Sequence, residues 1–247
     1  MDGPLDTLAP ADLFFRSLVL EEREDHVQAA VVMKMARSGL YTQEYTACAE
    51  SMICVVIERL AGLEEPVVDL ASGRGRLVEE MLHGLEISVV ATDFSPRVLR
   101  RARGRLRSLG SSDRVSLLSF DARRTPFGNG SVRTLTSYLG LPNIEEPGTL
   151  LQELRRIVSG TLIAVMHFFP EDDEANRALI FQAGLQSMLD RGPALAAFAE
   201  VGFDVEVAAE CTSYARPTPT SLILEGAGVD ALPVEEISLE WCVLVAH

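Results

Sequence analysis

The stretch Val67-Val68-Asp69-Leu70-Ala71-Ser72-Gly73-Arg74-Gly75-Arg76-Leu77 constrains this chain more than any other. An apolar run ends in an acid, a small-residue loop follows, and Leu77, Val78, Met81, Leu82 and Leu85 then recur at helical spacing. That is the pattern of a strand, a tight turn and a helix. The pattern repeats downstream. Residues 87–91 are predicted as a second strand, followed by a helix with Leu99, Ala102, Leu106 and Leu109 on its inner face. Residues 115–120 and 132–138 supply a third and a fourth strand. Leu150, Leu151, Leu154, Ile157 and Val158 mark a helix, and residues 162–168 a fifth strand. This rhythm predicts a parallel sheet covered by helices on both faces. It then breaks. Residues 171–200 read as helix interrupted near Gly192-Pro193, and strands at 203–209 and 237–246 have no helical pattern between them. Strands joined without a crossover helix pair antiparallel. The expectation is an α/β, doubly wound sheet of seven strands, mostly parallel, with one antiparallel strand near an edge. Upstream, residues 11–20, 26–36 and 43–61 read as helices, the last with Tyr45, Cys48, Met52, Val56 and Leu60 on one face. Residues 1–62 are therefore expected to form an N-terminal helical lid on a domain of residues 63–247, the two making one compact unit.

Composition narrows the partners. With 36 acidic and 22 basic residues the chain carries a formal charge of −14, which repels nucleic-acid phosphates and anionic membrane surfaces. No apolar run approaches the ~20 residues needed to span a bilayer. The first residues carry acids where a secretory signal carries bases. Cys48, Cys54, Cys211 and Cys242 form no Cys-x-x-Cys pair and have no histidine at ligand spacing; reduced thiols in a cytoplasm are expected. Arg97, Arg100, Arg101, Arg103, Arg105 and Arg107 alternate with Leu99, Ala102 and Leu106 on one helix, and in so acidic a chain they read as a solvated face. The acids Glu171 to Glu174 have no matching acid after the fourth strand, so they read as complements to a helix start after Pro170, not as metal ligands.

A parallel sheet sets the C-terminal ends of its strands along one edge, so Asp69, Asp93, Asp121 and Tyr138 are expected to line one crevice. A lone Gly-x-Gly loop does not say what that crevice holds. A dinucleotide fold asks for a small residue where Val78 stands, and for no acid at Asp69. The stretch 69–75 resembles instead the acid-x-Gly-x-Gly-x-Gly motif of class I S-adenosylmethionine-dependent methyltransferases, with Ala71 in place of the first glycine. The resemblance continues in order through Ala91-Thr92-Asp93-Phe94, Phe120-Asp121-Ala122-Arg123-Arg124-Thr125-Pro126-Phe127, Ser131 to Leu141 and Glu153 to Ile157. It implies S-adenosylmethionine as cofactor. Asp69, Ala71, Gly73 and Gly75 would form the loop around its amino-acid end, Asp93 would take the ribose hydroxyls and Phe94 would lie on the adenine. Asp121 and the Ala122 N–H would meet the adenine edge, Tyr138 would hold the ammonium end, and Tyr45 would close over the cofactor from the lid. The implied reaction is methyl transfer to a small organic acceptor on oxygen or carbon, without metal. His167 is a candidate base, and Tyr138, Leu141, Asn143, His167, Phe168 and Phe169 are candidate acceptor walls. A non-catalytic nucleoside-binding module and an NAD-dependent oxidoreductase remain as alternatives.

Overall fold

The computed structural model describes residues 5–108, 110, 112–219, 222 and 232–247; Leu109, expected on an inner helix face, lies outside them, as do residues 1–4 of the expected lid. Its strands are β1 (Val67–Asp69), β2 (Val89–Asp93), β3 (Val115–Ser119), β4 (Val132–Tyr138), β5 (Val158–Phe168), β6 (Val205–Ala215) and β7 (Ile237–Ala246). Its α-helices are α1 (Pro10–Glu22), α2 (His26–Leu40), α3 (Gln43–Leu60), α4 (Arg76–Gly84), α5 (Pro96–Ser108), α6 (Pro147–Ile157), α7 (Glu174–Gln182), α8 (Gln186–Leu189) and α9 (Arg191–Glu200).

The seven strands form one sheet in the order β3-β2-β1-β4-β5-β7-β6. The first five pair in parallel, and β7 runs against both β5 and β6. Strand alternation divides the core. Val67, Ile163, Val165, Trp241 and Val243 face the layer containing α3 and α4, while Val68, Leu162, Ala164, Met166 and Leu244 face α6 and α9. The two-residue period of a strand sends neighbours to opposite faces, and both faces are apolar because both are covered.

Element boundaries depart from the sequence pattern where polar residues continue a strand. β6 runs on to Ala215 through Glu210, Thr212 and Ser213 as it pairs along the whole of β7. Gly192 and Pro193 sit in the first turn of α9, where proline is tolerated; the helical segment breaks instead after Gln182. The helix expected after Pro170 starts at Glu174, capped by the Asp173 side chain, which accepts from the Asn176 N–H at 3.2 Å.

The residues expected to form a lid divide into two parts. α3 packs on β5, β6, β7 and α4 as part of the sheet's own helical layer. Only α1 and α2 stand apart, as a hairpin with its own apolar cluster of Leu13, Val32, Met33, Ala36 and Leu40. The hairpin lies on α5, and a Cβ at Gly104 would come 2.5 Å from the His26 ring, so the ring packs directly on the Gly104 backbone. The solvated-face reading of α5 holds for Arg97, Arg100, Arg103 and Arg107, which are exposed, while the docking leaves Arg101 and Arg105 half-buried. Arg97 and Arg101 pair with Glu22 of α1, and Arg105 pairs with Glu79 of α4. The thiol reading is corrected. Cys48 of α3 and Cys211 of β6 are joined as a disulfide with Cα atoms 6.1 Å apart, while Cys54 and Cys242 are free. The pair lies 163 residues apart in the chain; only the crossing of α3 over β6 brings these side chains within bonding geometry.

Candidate functional site

β1 ends at Asp69 and the chain turns through Ala71, Gly73 and Gly75, all at positive φ (52°, 53° and 78°), before α4 starts. Hydroxyls staple the turn to the strands beside it. Ser72 Oγ and Thr92 Oγ1 both donate to the Asp69 carbonyl, at 2.9 and 3.0 Å, and Ser137 Oγ donates to the Leu70 carbonyl at 3.0 Å. Alanine at positive φ is sterically costly, and its methyl needs room. Gly140, after β4, supplies it: a Cβ there would stand 2.7 Å from the Ala71 Cβ. The space before Gly73 is open, so bare backbone faces the cleft.

That cleft has a volume of about 430 Å³ and is lined by residues from the ends of β1, β2 and β3, including Ala71, Asp93, Phe94, Phe120, Asp121 and Ala122. Asp93 is one of its lining residues. One carboxylate oxygen accepts from the Gly73 N–H at 3.0 Å and the other from the Ser95 N–H at 2.9 Å. The acid thereby couples the glycine loop to the end of β2. Phe94 is 76% exposed at the cleft wall. Asp121 is gripped by Arg123, whose Nε and Nη2 donate to its two oxygens at 3.0 and 2.8 Å while Nη1 reaches Glu146 at 2.8 Å. The Arg123 hydrogen bonds hold the Asp121 carboxyl below its ordinary range.

Residues 67–160 match the family model described as a methyltransferase domain. The chain is 36% identical over 105 residues to a demethylmenaquinone methyltransferase of Clavibacter sepedonicus, covering 42% of this chain and 41% of that one. It is 29% identical over 114 residues to a ubiquinone/menaquinone biosynthesis C-methyltransferase of a Shewanella species, covering 45% of each. The match thus spans less than half the length of these curated relatives. Among solved structures, the YcgJ protein of a Bacillus superposes with a TM-score of 0.62 at 15% identity, covering 80% of this chain and 97% of that one. Geranyl diphosphate C-methyltransferase of Streptomyces coelicolor gives 0.58 at 16%, covering 82% and 80%. The [4+2]-cyclase SpnF gives 0.61 at 14%, covering 82% of each chain. Residues 67–160 thus resemble a methyltransferase domain, and the fold is that of class I S-adenosylmethionine-dependent methyltransferases. The resemblance read from its motifs and the expected sheet both hold.

Measured against the roles that the superfamily implies, the expected residues fall into two groups. Ala71, Asp93, Phe94, Asp121 and Ala122 line the cleft of this methyltransferase domain, and Gly73 and Gly75 form the adjoining loop. Asp69 does not reach it. Its side chain is buried and accepts from Thr136 Oγ1 at 2.7 Å. Burial pushes its carboxyl up to about 6, against the Ser72 and Thr136 hydroxyls and with the Asp93 charge. Asp69 therefore braces the loop from beneath. Tyr45 is enclosed as well, stacked on Tyr41 and set edge-on to Trp241, each at 4.8 Å; burial raises its phenol well above the ordinary value. Tyr138, at the end of β4, is largely enclosed, and burial raises its phenol against the charges of Arg76 and Arg37. His167 packs edge-on against Trp241 and Phe169 at 5.6 and 5.8 Å, with Nδ1 enclosed and without a hydrogen-bond partner. Burial lowers its imidazole to about 4, a poor match to proton abstraction near neutrality. Of the expected acceptor walls, Leu141, Phe168 and Phe169 are buried core, while Asn143 lines the cleft. Sequence reasoning missed Arg123, although its position two residues after Asp121 was a usable signal. It also missed Ser72, Thr92, Thr136 and Ser137, whose hydroxyls at strand ends carry no spacing motif.

Proposed function

We propose that this protein transfers the methyl group of S-adenosylmethionine to a small organic acceptor, on carbon or oxygen. The position of Asp93 supports this most. Its carboxylate lies in the cleft between the backbone of Gly73 and the exposed ring of Phe94, as an acceptor for vicinal ribose hydroxyls must. The surrounding residues fit the rest of the donor. Open space before Gly73 leaves room for its amino-acid end, Phe94 and Phe120 offer apolar surface to adenine, and the Ala122 backbone lies at the same wall. The Asp121 carboxylate already accepts four hydrogen bonds from Arg123, one from its backbone and three from its guanidinium, so an adenine amino group there would share an oxygen with the Arg123 fork.

The bound sulfonium supplies an activated methyl group. The chain's task is to hold donor and acceptor in line and keep water out. The loop braced by Asp69 fixes one partner, and the α1–α2 hairpin beside it is suited to enclosing the other. The relatives named as C-methyltransferases favour a carbon acceptor. Metal-independent transfer is proposed with it: Asp173, one of the acids after Pro170, serves as a helix cap. No described helix is long and apolar enough to cross a membrane. A second reading keeps the nucleoside site without methyl transfer, and the superposition on a [4+2]-cyclase favours holding it open. Methyl-labelled donor incubated with phenols, carboxylic acids and enols, and separately with tRNA and DNA, tests the proposal. Label in a small molecule is expected. Label in nucleic acid alone, or none with bound donor, overturns it.

A further inference from the structure

On the far side of the glycine loop a second cavity of about 930 Å³ opens between α2, the start of α3, the residues before α4, and α5. Its walls carry Lys34, Arg37, Arg74, Arg76 and Arg105 against Glu21, Glu50 and Glu79. In a chain of charge −14, this basin has more cations than anions. The pairing is also incomplete. Glu21 takes Arg74 and Glu79 takes Arg105, while Glu50 stands 4.0 Å from Arg76. Arg37 has no ion pair or side-chain hydrogen bond among the described residues, and Arg74 Nε, Arg74 Nη1 and Arg76 Nε are enclosed without acceptors. Enclosed guanidinium N–H groups without partners are costly unless a ligand satisfies them. Burial and the neighbouring Arg76 and Arg105 charges lower Arg37, as burial lowers Arg74 to about 10; an anion among them relieves both effects. The rim is apolar: Val27 and Val31 are exposed there.

We infer that this basin binds the carboxylate or phosphate head of an amphiphilic organic anion, whose apolar body lies against α2, and that this anion is the methyl acceptor. The acceptor role rests on the proposed methyl transfer; the anion site does not. Arg74 lies in the loop that brackets the cofactor cleft and Arg76 opens α4 directly after it, so a head held there places the body beside that loop. Guanidinium groups suit this task because their forked donors match both carboxylate and phosphate oxygens.

Phenol, benzoate and phenyl phosphate, matched in body and differing in head, separate the possibilities by calorimetry on the full chain, with and without saturating S-adenosylhomocysteine. The expected result is that at least one anion binds about tenfold or more tighter than phenol, that Arg37→Gln removes this preference, and that S-adenosylhomocysteine leaves it in place. Which anion binds tighter tells carboxylate from phosphate. Arg76→Gln serves as a second variant should Arg37→Gln melt early without ligand. Equal binding of all three probes overturns the anion site. Loss of anion binding in the presence of S-adenosylhomocysteine also overturns it, because the basin then serves the cofactor's own carboxylate. Anion binding without any S-adenosylhomocysteine binding leaves the basin standing and defeats the methyl-transfer reading and, with it, the acceptor role.

Discussion

His167→Phe converts a buried imidazole into a ring of similar shape and separates packing from charge. In the folded chain burial holds the imidazole at about 4, against an ordinary 6.5. The unfolded chain therefore binds a proton that the native state refuses, and stability from this residue is lost as pH falls below the unfolded value. From about pH 7 to about pH 4.5 the loss amounts to about 2.5 kcal/mol. Asp69 acts in the opposite sense. Its carboxyl is raised to about 6 from 3.8, so the native state takes up a proton first and gains about 2 kcal/mol over the same range. The two nearly cancel, and the contribution of this pair to the wild-type profile is nearly flat. Removing His167 exposes the Asp69 gain. Urea titrations at about pH 7, 6, 5 and 4.5 should show His167→Phe gaining on the wild type by about 2.5 kcal/mol as the pH falls. Parallel profiles for the two proteins refute the claim that His167 is held neutral by burial. Donor turnover at neutral pH should survive the substitution, since the ring lines neither cleft.

Two further outcomes test the loop and the helix beside it. Gly140→Ala should cost ~1–3 kcal/mol, because its Cβ meets the Ala71 methyl at 2.7 Å and Ser137 Oγ at 2.8 Å. Combining it with Ala71→Gly should recover part of that loss, and a double-mutant cycle in chemical denaturation reads the coupling. Glu153 accepts from Thr125 N, Thr125 Oγ1 and Arg156 Nε, each at 2.7 Å, and Arg156 chiefly lowers its carboxyl to about 2. Its contribution is present above the ordinary 4.5 and fades as pH falls toward 2. Glu153→Gln should destabilise the protein by about 2 kcal/mol at neutral pH and flatten this acid limb.

The parallel half of the sheet was legible because each strand end carries its own mark. Asp69, Asp93 and Asp121 close apolar runs, and strand alternation with crossover helices leaves few topologies. The Asp93 side of the site was legible for the same reason: its ligating groups are strand ends and adjacent backbone. Contacts between distant segments were not. Asp69 looks like Asp93 in sequence, yet Thr136 from β4 covers one while the other lines the cleft. Tyr45 sits at lid-like spacing, but α3 belongs to the sheet's layer, so its ring meets Trp241 instead of the cleft. The basic basin draws on α2, the glycine loop and α5 together. Only the docking of the hairpin assembles it, and no local pattern foretells that docking.

Binding of S-adenosylhomocysteine, measured by calorimetry against NAD as a control and repeated with Asp93→Ala, bears most directly on the donor site. Methyl-donor chemistry in this cleft predicts saturable one-to-one binding of S-adenosylhomocysteine, none of NAD, and about tenfold or more loss of affinity in a folded Asp93→Ala variant. Absence of any heat or thermal shift at millimolar S-adenosylhomocysteine, or undiminished affinity in Asp93→Ala, contradicts it.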